Sequence, residues 1–345
     1  MAEDKSRVEQ YNEAEGNGFN STAGFAPVKP TVGQRLKAHY KRWWWVHVII
    51  LIIIVLVVTL PVVYVGYPHI ARHDVNESTL NMTQLMIRNP TPDSFDLYQT
   101  QTLGTHSSYH PWIYSFNSTV SLAGASAPFA FVQVPKVKSK DGAEIVIDDH
   151  LQLVNVSAFA DFCKATMLNE EVSMNVYGKP KLKEGGLPKI TVTYNKTVTM
   201  KGLNRLKGFN ITELHALTKN NPDGTNMNGT VLIPNPSVLT LEMGNLTMNL
   251  SVDGTPIGQA FIHNFTLRPG DNITPMTSKV NDTILISLLT SKYKDGILPL
   301  DIVGSESAVN GKNLTYFSEA LAANTIHTSV NAGAALAEIG ITGGL

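Results

Sequence analysis

Residues 245–254 read NLTMNLSVDG. Leu246, Met248, Leu250 and Val252 recur at every second position, while Asn245 and Asn249 fall on the opposite parity. Side chains of a strand alternate between its faces, so this spacing predicts a half-buried strand with one apolar and one wet face. Asp253-Gly254 follows, the residue pair that a two-residue hairpin needs for positive φ. Such strands pair antiparallel, one face on a core and one in solvent.

The same period runs outward in both directions. In ITVTYNKTVTM (190–200), Ile190, Val192 and Tyr194 share a face, and after an Asn195-Lys196 turn Val198 and Met200 continue it. Asn264 takes the polar parity between Phe261, Phe265 and Leu267. Pro269-Gly270-Asp271 reads as a turn, and Asn-Pro at 89–90 and 235–236 closes a strand, since proline cannot donate to a ladder. Two stretches switch to helical spacing: Phe159, Phe162, Cys163 and Met167, and then Leu285, Leu288, Leu289 and Tyr293. Each predicts a short helix at the edge of a sandwich.

These elements recur in order. MTQLMIRNP (82–90) resembles GTVLIPNP (229–236), and AFVQVPKVKSKDGAEI (130–145) resembles AFIHNFTLRPGDNI (260–273). A helix comes next in each case, and then NVYGKPKL (175–182) matches DIVGSESA (301–308). A duplicated module is the reading, with a first β-sandwich over 74–204, a second over 205–335 and a flexible end at 336–345.

Upstream, residues 41–60 read KRWWWVHVIILIIIVLVVTL. From Val46 to Val65 sixteen of twenty residues are Ile, Leu or Val, and none is charged. Twenty helical residues span roughly 30 Å, the thickness of a bilayer's hydrocarbon core. Those sixteen side chains favour insertion by roughly 5–10 kcal/mol. Trp43, Trp44 and Trp45 at one end and Tyr64 and Tyr67 at the other supply interfacial aromatics, so 43–67 reads as a membrane anchor. A cleaved signal has a shorter apolar run near the terminus and a small-x-small site, which this stretch lacks. Arg35, Lys37, Lys41 and Arg42 precede the span and only Arg72 closely follows it. The positive-inside bias puts residues 1–42 in the cytosol and the rest across the membrane, a type II topology. Residues 1–34 are polar and predict a disordered tail, with a basic juxtamembrane segment after it.

Asn-x-Ser/Thr accepts a glycan only on the far side of that membrane. Thirteen sequons follow the span: Asn76, Asn81, Asn117, Asn155, Asn195, Asn210, Asn228, Asn245, Asn249, Asn264, Asn272, Asn281 and Asn313. The region's 24 asparagines and its Ser and Thr content give about four or five by composition alone. The predicted polar parity leaves several of them on the wet face of a strand.

The run IPNPSVLTLEMGNLTMNLSVDGTPIGQAFIHNFTLRPGDN (233–272) combines Asn235-Pro236, Asp253-Gly254 with Ile257-Gly258, and Pro269-Gly270. It resembles the late-embryogenesis-abundant group-two type of domain, in the version found in an uncharacterised fungal single-pass membrane-protein family. The resemblance covers roughly 75–335 and is clearest in the second half. It implies tandem immunoglobulin-like antiparallel β-sandwiches after one transmembrane helix, and placement at the vacuolar membrane, with the cell surface and the endoplasmic reticulum as alternatives. It implies no catalytic residues. The first half lacks the x-x-Gly-x-x-Ile-Gly element after Pro90.

Candidate chemistry is sparse. His69/His73 and His106/His110 have i,i+4 spacing, without a carboxylate or Cys in a zinc pattern. Asp148-Asp149-His150 reads as a solvated turn. Gly124-Ala125-Ser126 starts like a nucleophile elbow but lacks its second glycine. Cys163 is the sole cysteine, expected buried, so no intrachain disulfide forms. No phosphate-cradling loop and no Asp-x-Asp of the kind many Golgi glycosyltransferases use occurs, which argues against that enzyme class. No cofactor or metal site is implied, and 27 Lys and Arg against 28 Asp and Glu leave no nucleic-acid footprint.

Two non-catalytic classes remain: an interaction or scaffolding protein, taken as the leading reading, and a lipid-binding or lipid-transfer module held at the bilayer. The second requires an apolar cavity of several hundred Å³ near the membrane-proximal end. The partner expected in either case is the bilayer, with a protein or a bound lipid beside it.

Overall fold

The computed structural model describes residues 31–341. The predicted disordered tail falls, up to residue 30, outside them. Helix α1 (Val32–Pro61) starts in the basic segment and carries the apolar run. Pro61 supplies no N–H and its ring crowds the turn before it, and the chain passes into a π-helical turn over Val62–Gly66. Helix α2 (Tyr67–Glu77) follows. Among the described residues this continuous helical stretch is the one long and apolar enough to cross a membrane, and its most apolar window is wholly unburied.

The remainder is mainly β. Its first half contains β1 (Thr79–Arg88), β2 (Ser94–Gly104), β3 (Trp112–Ile113) and β4 (Phe116–Leu122). Then come β5 (Ala130–Val134), β6 (Val137–Lys138), β7 (Ala143–Gln152) and helix α3 (Val156–Leu168). β8 (Glu171–Gly178), β9 (Lys181–Lys183), β10 (Ile190–Thr191) and β11 (Tyr194–Lys201) complete it. Strands β7, β2 and β1 form one layer, the antiparallel sheet β11-β8-β4-β5 faces it, and a small sheet β10-β9-β3-β6 closes one end.

The second half contains β12 (Asn210–Ala216), β13 (Met227–Asn235), β14 (Leu239–Val252), β15 (Thr255–Leu267) and β16 (Gly270–Val280). Helix α4 (Asp282–Ser291), β17 (Ile297–Val309), β18 (Lys312–Asn313), α5 (Thr315–Ala322), β19 (Thr325–Asn331) and α6 (Ala332–Ala337) follow. The decisive strand behaves as its alternation requires: Leu246, Met248, Leu250 and Val252 are buried, Asn245 and Asn249 exposed. Asp253 and Gly254 both take positive φ in the two-residue turn to β15.

Pairing departs from expectation in one respect. β1 lies parallel to the start of β14, with Leu85, Met86 and Ile87 opposite Leu239, Thr240 and Leu241. The two halves thereby share an 11-stranded sheet. Further along, the edge of β14 passes from β1 to β17, which pairs with Asn245–Ser251. The change falls at Gly244, whose φ is +69° and where a Cβ would lie 2.3 Å from the carbonyl oxygen of Ala308. A side chain fits neither the backbone nor the space.

Other local expectations are corrected. No turn occurs at Asn195-Lys196: β11 runs unbroken from Tyr194 to Lys201, and Lys196 points inward among Tyr194, Val198 and Met200. Asp148, Asp149 and His150 lie within β7 rather than in a turn. Asn264 sits at a bulge with φ +49°, where two residues of β15 oppose one of β14. The inward parity therefore shifts from Ala260 and Ile262 to Phe265 and Leu267, leaving Phe261 half-buried on the other face. The α3 helix forms where its spacing predicts, yet it is interior. Phe159 is stacked on Phe95 at 5.1 Å and meets the ring of Tyr316, from α5, edge-on at 5.0 Å. Leu336, on α6 near the expected flexible end, is buried.

Candidate apolar-ligand cavity

The first half does not close on itself. Between its two layers lies a cavity of about 310 Å³, whereas the cavities in the second half measure only about 40 Å³. On β2 its lining consists of Phe95, Leu97, Gln99, Gln101 and Leu103, one face of the strand. On β1 it consists of Leu80 and Met82, then Leu85 and Ile87, the parity shifting at a bulge between Met82 and Gln84. From Leu80 to Ile87 is seven steps of about 3.3 Å, so the cavity follows roughly 23 Å of strand. That exceeds the ~15 Å depth of one leaflet's hydrocarbon.

The ends differ. At the α3 end the walls are Phe95, Phe129, Phe159 and Phe162, all buried. At the α2 end they include Tyr67, Ile70 and Asp74 of the helix and Ile113, Val137 and Leu182 of the small sheet. Val62, Ile70 and Tyr109 are exposed as well as lining, so this end reaches the surface. Val62 and Val63, which also line it, belong to the apolar run itself.

Polar groups gather at this same end. Asp74 accepts a hydrogen bond from Ser107 Oγ at 2.6 Å, and Gln99 Nε2 donates to Gln101 Oε1 at 3.3 Å. Asp74 and Glu184 are the charged side chains that line the cavity, and no cation does. Deeper, Ser118 is satisfied by donating to the Val132 carbonyl at 3.0 Å. Burial pushes the Tyr194 hydroxyl well above its ordinary pKa, so it stays neutral. The arrangement solvates hydrocarbon along its length and a polar, uncharged or cationic group at its mouth. A carboxylate or phosphate there would meet two like charges.

The residues singled out from sequence lie elsewhere, Tyr67 excepted. Tyr67, expected at the interface, is half-buried and lines the cavity; Trp43, Trp44, Trp45 and Tyr64 are exposed on the helical stretch. His69 and His73 fall on α2, while His110 Nδ1 contacts the Ser139 carbonyl in a loop. Among the described residues no group of three His, Cys, Asp or Glu is placed to hold a metal. Gly124 lies in the β4–β5 turn. Asp148 meets Arg88 at 2.8 Å and His150 meets Asp96 at 2.7 Å, exposed cross-strand pairs. Cys163 is buried on α3, and burial raises its thiol pKa far beyond the reactive range. Of the thirteen sequon asparagines, Asn155 and Asn272 are half-buried and the rest exposed, whereas the three buried asparagines after the span, Asn226, Asn235 and Asn324, lie outside sequons. The cavity itself had no signature in the sequence, because alternation shows which side chains face inward and not whether they meet.

Residues 127–250 match the model of a family described as a protein of unknown function (DUF3712), a match that straddles the two halves. No curated protein matches the chain. Among solved structures, a bacterial adhesin from Mobiluncus mulieris with disulfide, isopeptide and ester cross-links is 9% identical, with a TM-score of 0.19, covering 73% of this chain and 97% of its own. The partial N-terminal region of an enterococcal surface protein is 8% identical, with a TM-score of 0.14, covering 72% of this chain and 94% of its own.

Proposed function

We propose that the protein is a type II, single-pass glycoprotein of the vacuolar or a related secretory-pathway membrane, whose first β-module holds the hydrocarbon chain of a lipid. The carrying observation is the apolar cavity of about 310 Å³ that runs from the end of the apolar span to the aromatic cluster on α3. It falls within the usual size of ligand pockets. The second module, with cavities of about 40 Å³, acts as packed support. The acidic mouth favours a lipid whose head is neutral or amine-bearing over a free fatty acid. The proposed role is non-catalytic: the one hydroxyl that meets a carboxylate at the mouth, Ser107 on Asp74, is read as a polar anchor for a lipid head.

The test is to reconstitute the full chain with a lipid carrying a diazirine at the chain terminus, photolyse, and map the modified peptides. Cross-links at Phe159, Phe162 or Ile147 are expected. Cross-links confined to the membrane-spanning helix would overturn the reading, and a Leu97→Trp variant that fills the cavity should lose the interior ones.

A further inference from the structure

The small sheet that closes the α2 end of the cavity has two unlike faces. Ile113, Val137 and Leu182 point into the cavity. Trp112, exposed on the other face, is flanked across both ladders by Lys138 of β6 and Lys183 of β9. Lys136 lies over the ring of Trp112 at 4.4 Å and over that of Tyr114 at 5.0 Å. Lys189 covers Tyr114 from 4.3 Å. Lys181 lies on the same face of β9 as Lys183.

The segments 136–140 and 179–191 hold seven of the chain's 27 Lys and Arg, against one carboxylate, Glu184, which lines the cavity. Among the described residues none of the five named lysines forms an ion pair, although Arg88, Lys164 and Lys292 do so elsewhere. Cations on flexible stems with interleaved aromatics suit a layer of anionic headgroups. Glycans would block such a contact, and the sheet is bare: from residue 118 to 194 Asn155, at the start of α3, is the single sequon.

We infer that the outer face of this small sheet, around Trp112, Lys138 and Lys183, is a docking surface for anionic lipid headgroups of the bilayer that receives the apolar span. The sheet shares its cavity with Val62 and Val63, which belong to the apolar run. The contact would hold the cavity mouth against the lipid it draws from. It rests on the membrane-anchored part of the proposed function and is independent of whether lipid occupies the cavity.

The test uses the full chain reconstituted in phosphatidylcholine vesicles, with and without phosphatidylserine. A membrane-impermeant amine-acylating reagent modifies exposed lysines, and peptide mass spectrometry gives the rate at each. Lys138, Lys181 and Lys183 are expected to react about fivefold more slowly in the anionic vesicles. High salt should remove that protection. Lys279 and Lys294 in the second half should react equally in both. Equal rates for the sheet lysines in the two lipids overturn the inference, as does protection that appears in both only after an acidic protein is added. Protection without diazirine cross-links in the cavity overturns the lipid-holding reading alone; cross-links without protection overturn the docking surface alone.

Discussion

The ammonium of Lys196 donates to the backbone carbonyl oxygens of Asn76 at 2.6 Å and Ser78 at 2.5 Å. Those carbonyls end α2, the helix that walls the mouth of the cavity, and helix C-termini attract cations. Burial lowers the pKa of Lys196, and the nearby Glu77 carboxylate opposes that shift. The lysine thus pins α2 to β11. Lys196→Met retains most of the apolar stem and removes both charge-assisted bonds, and should cost about 2 kcal/mol. Hydrogen exchange over residues 67–77 should accelerate more than over β14. Unchanged exchange there would show that α2 is held by its apolar contacts alone.

The two halves are locked by Tyr316 rather than by surface charge. Its hydroxyl donates to the Thr91 carbonyl at 2.8 Å, and its ring is fully buried against Phe159 and Phe317. Lys164 and Glu319 bridge the same helix pair at 2.8 Å, but both are exposed to solvent. Tyr316→Phe leaves the part-buried Thr91 carbonyl without this donor and should cost about 1 kcal/mol. Lys164→Ala should cost about 0.5 kcal/mol or less. Urea midpoints of the two variants, at equal m, settle the order.

Docking of α6 on β12 should depend on pH. His215 Nδ1 lies 2.9 Å from Glu338 Oε2, and that hydrogen bond together with the carboxylate's charge raises the imidazole pKa above 6.5. A raised folded value means that the stabilisation is fully present below the unfolded pKa and is lost as pH rises through the folded one. An NMR titration should therefore give His215 a higher midpoint in the wild-type chain than in Glu338→Gln. Identical midpoints would show that Glu338 does not set the titration of His215 and that the docking of α6 does not depend on this pair.

How far the sequence reveals this fold depends on the range of the interaction. The hairpin at Asp253-Gly254, the alternation of Leu246 to Val252 and helices α3 and α4 are written within ten or so neighbouring residues, and all are legible. Lys196 is not. A lysine inside an alternating run reads as a turn because its partners, the carbonyls of Asn76 and Ser78, lie about 120 residues away and carry no side-chain signal. The parallel meeting of β1 and β14 is equally silent, since Gly244 marks it only through a clash with Ala308. The cavity is a deficit of atoms between two correctly patterned sheets. The sequence criterion for a lipid site, a large apolar cavity at the membrane-proximal end, could be posed in advance but answered only by the packing.

Two sequon asparagines double as helix caps. Asn155 Oδ1 accepts the Ala158 N–H at 3.0 Å, and Asn281 Oδ1 accepts the Ile284 N–H at 3.2 Å. A glycan bonds to Nδ2 and leaves Oδ1 free, so cap and glycan are compatible at both. Asn272 is different: its Nδ2 donates to the carbonyls of Arg268 and Gly270 in the β15–β16 turn and of Ile233 on β13. A glycosylated amide keeps one hydrogen, so occupancy at Asn272 breaks that turn's bonding. Glycopeptide mass spectrometry should show Asn155 and Asn281 occupied and Asn272 bare. The cap can be separated from the sugar at Asn281. Thr283→Ala abolishes the sequon and keeps the cap, whereas Asn281→Gln abolishes both and should be less stable than Thr283→Ala by about 1 kcal/mol. Equal stabilities would show that the Asn281 cap contributes nothing measurable at this helix terminus.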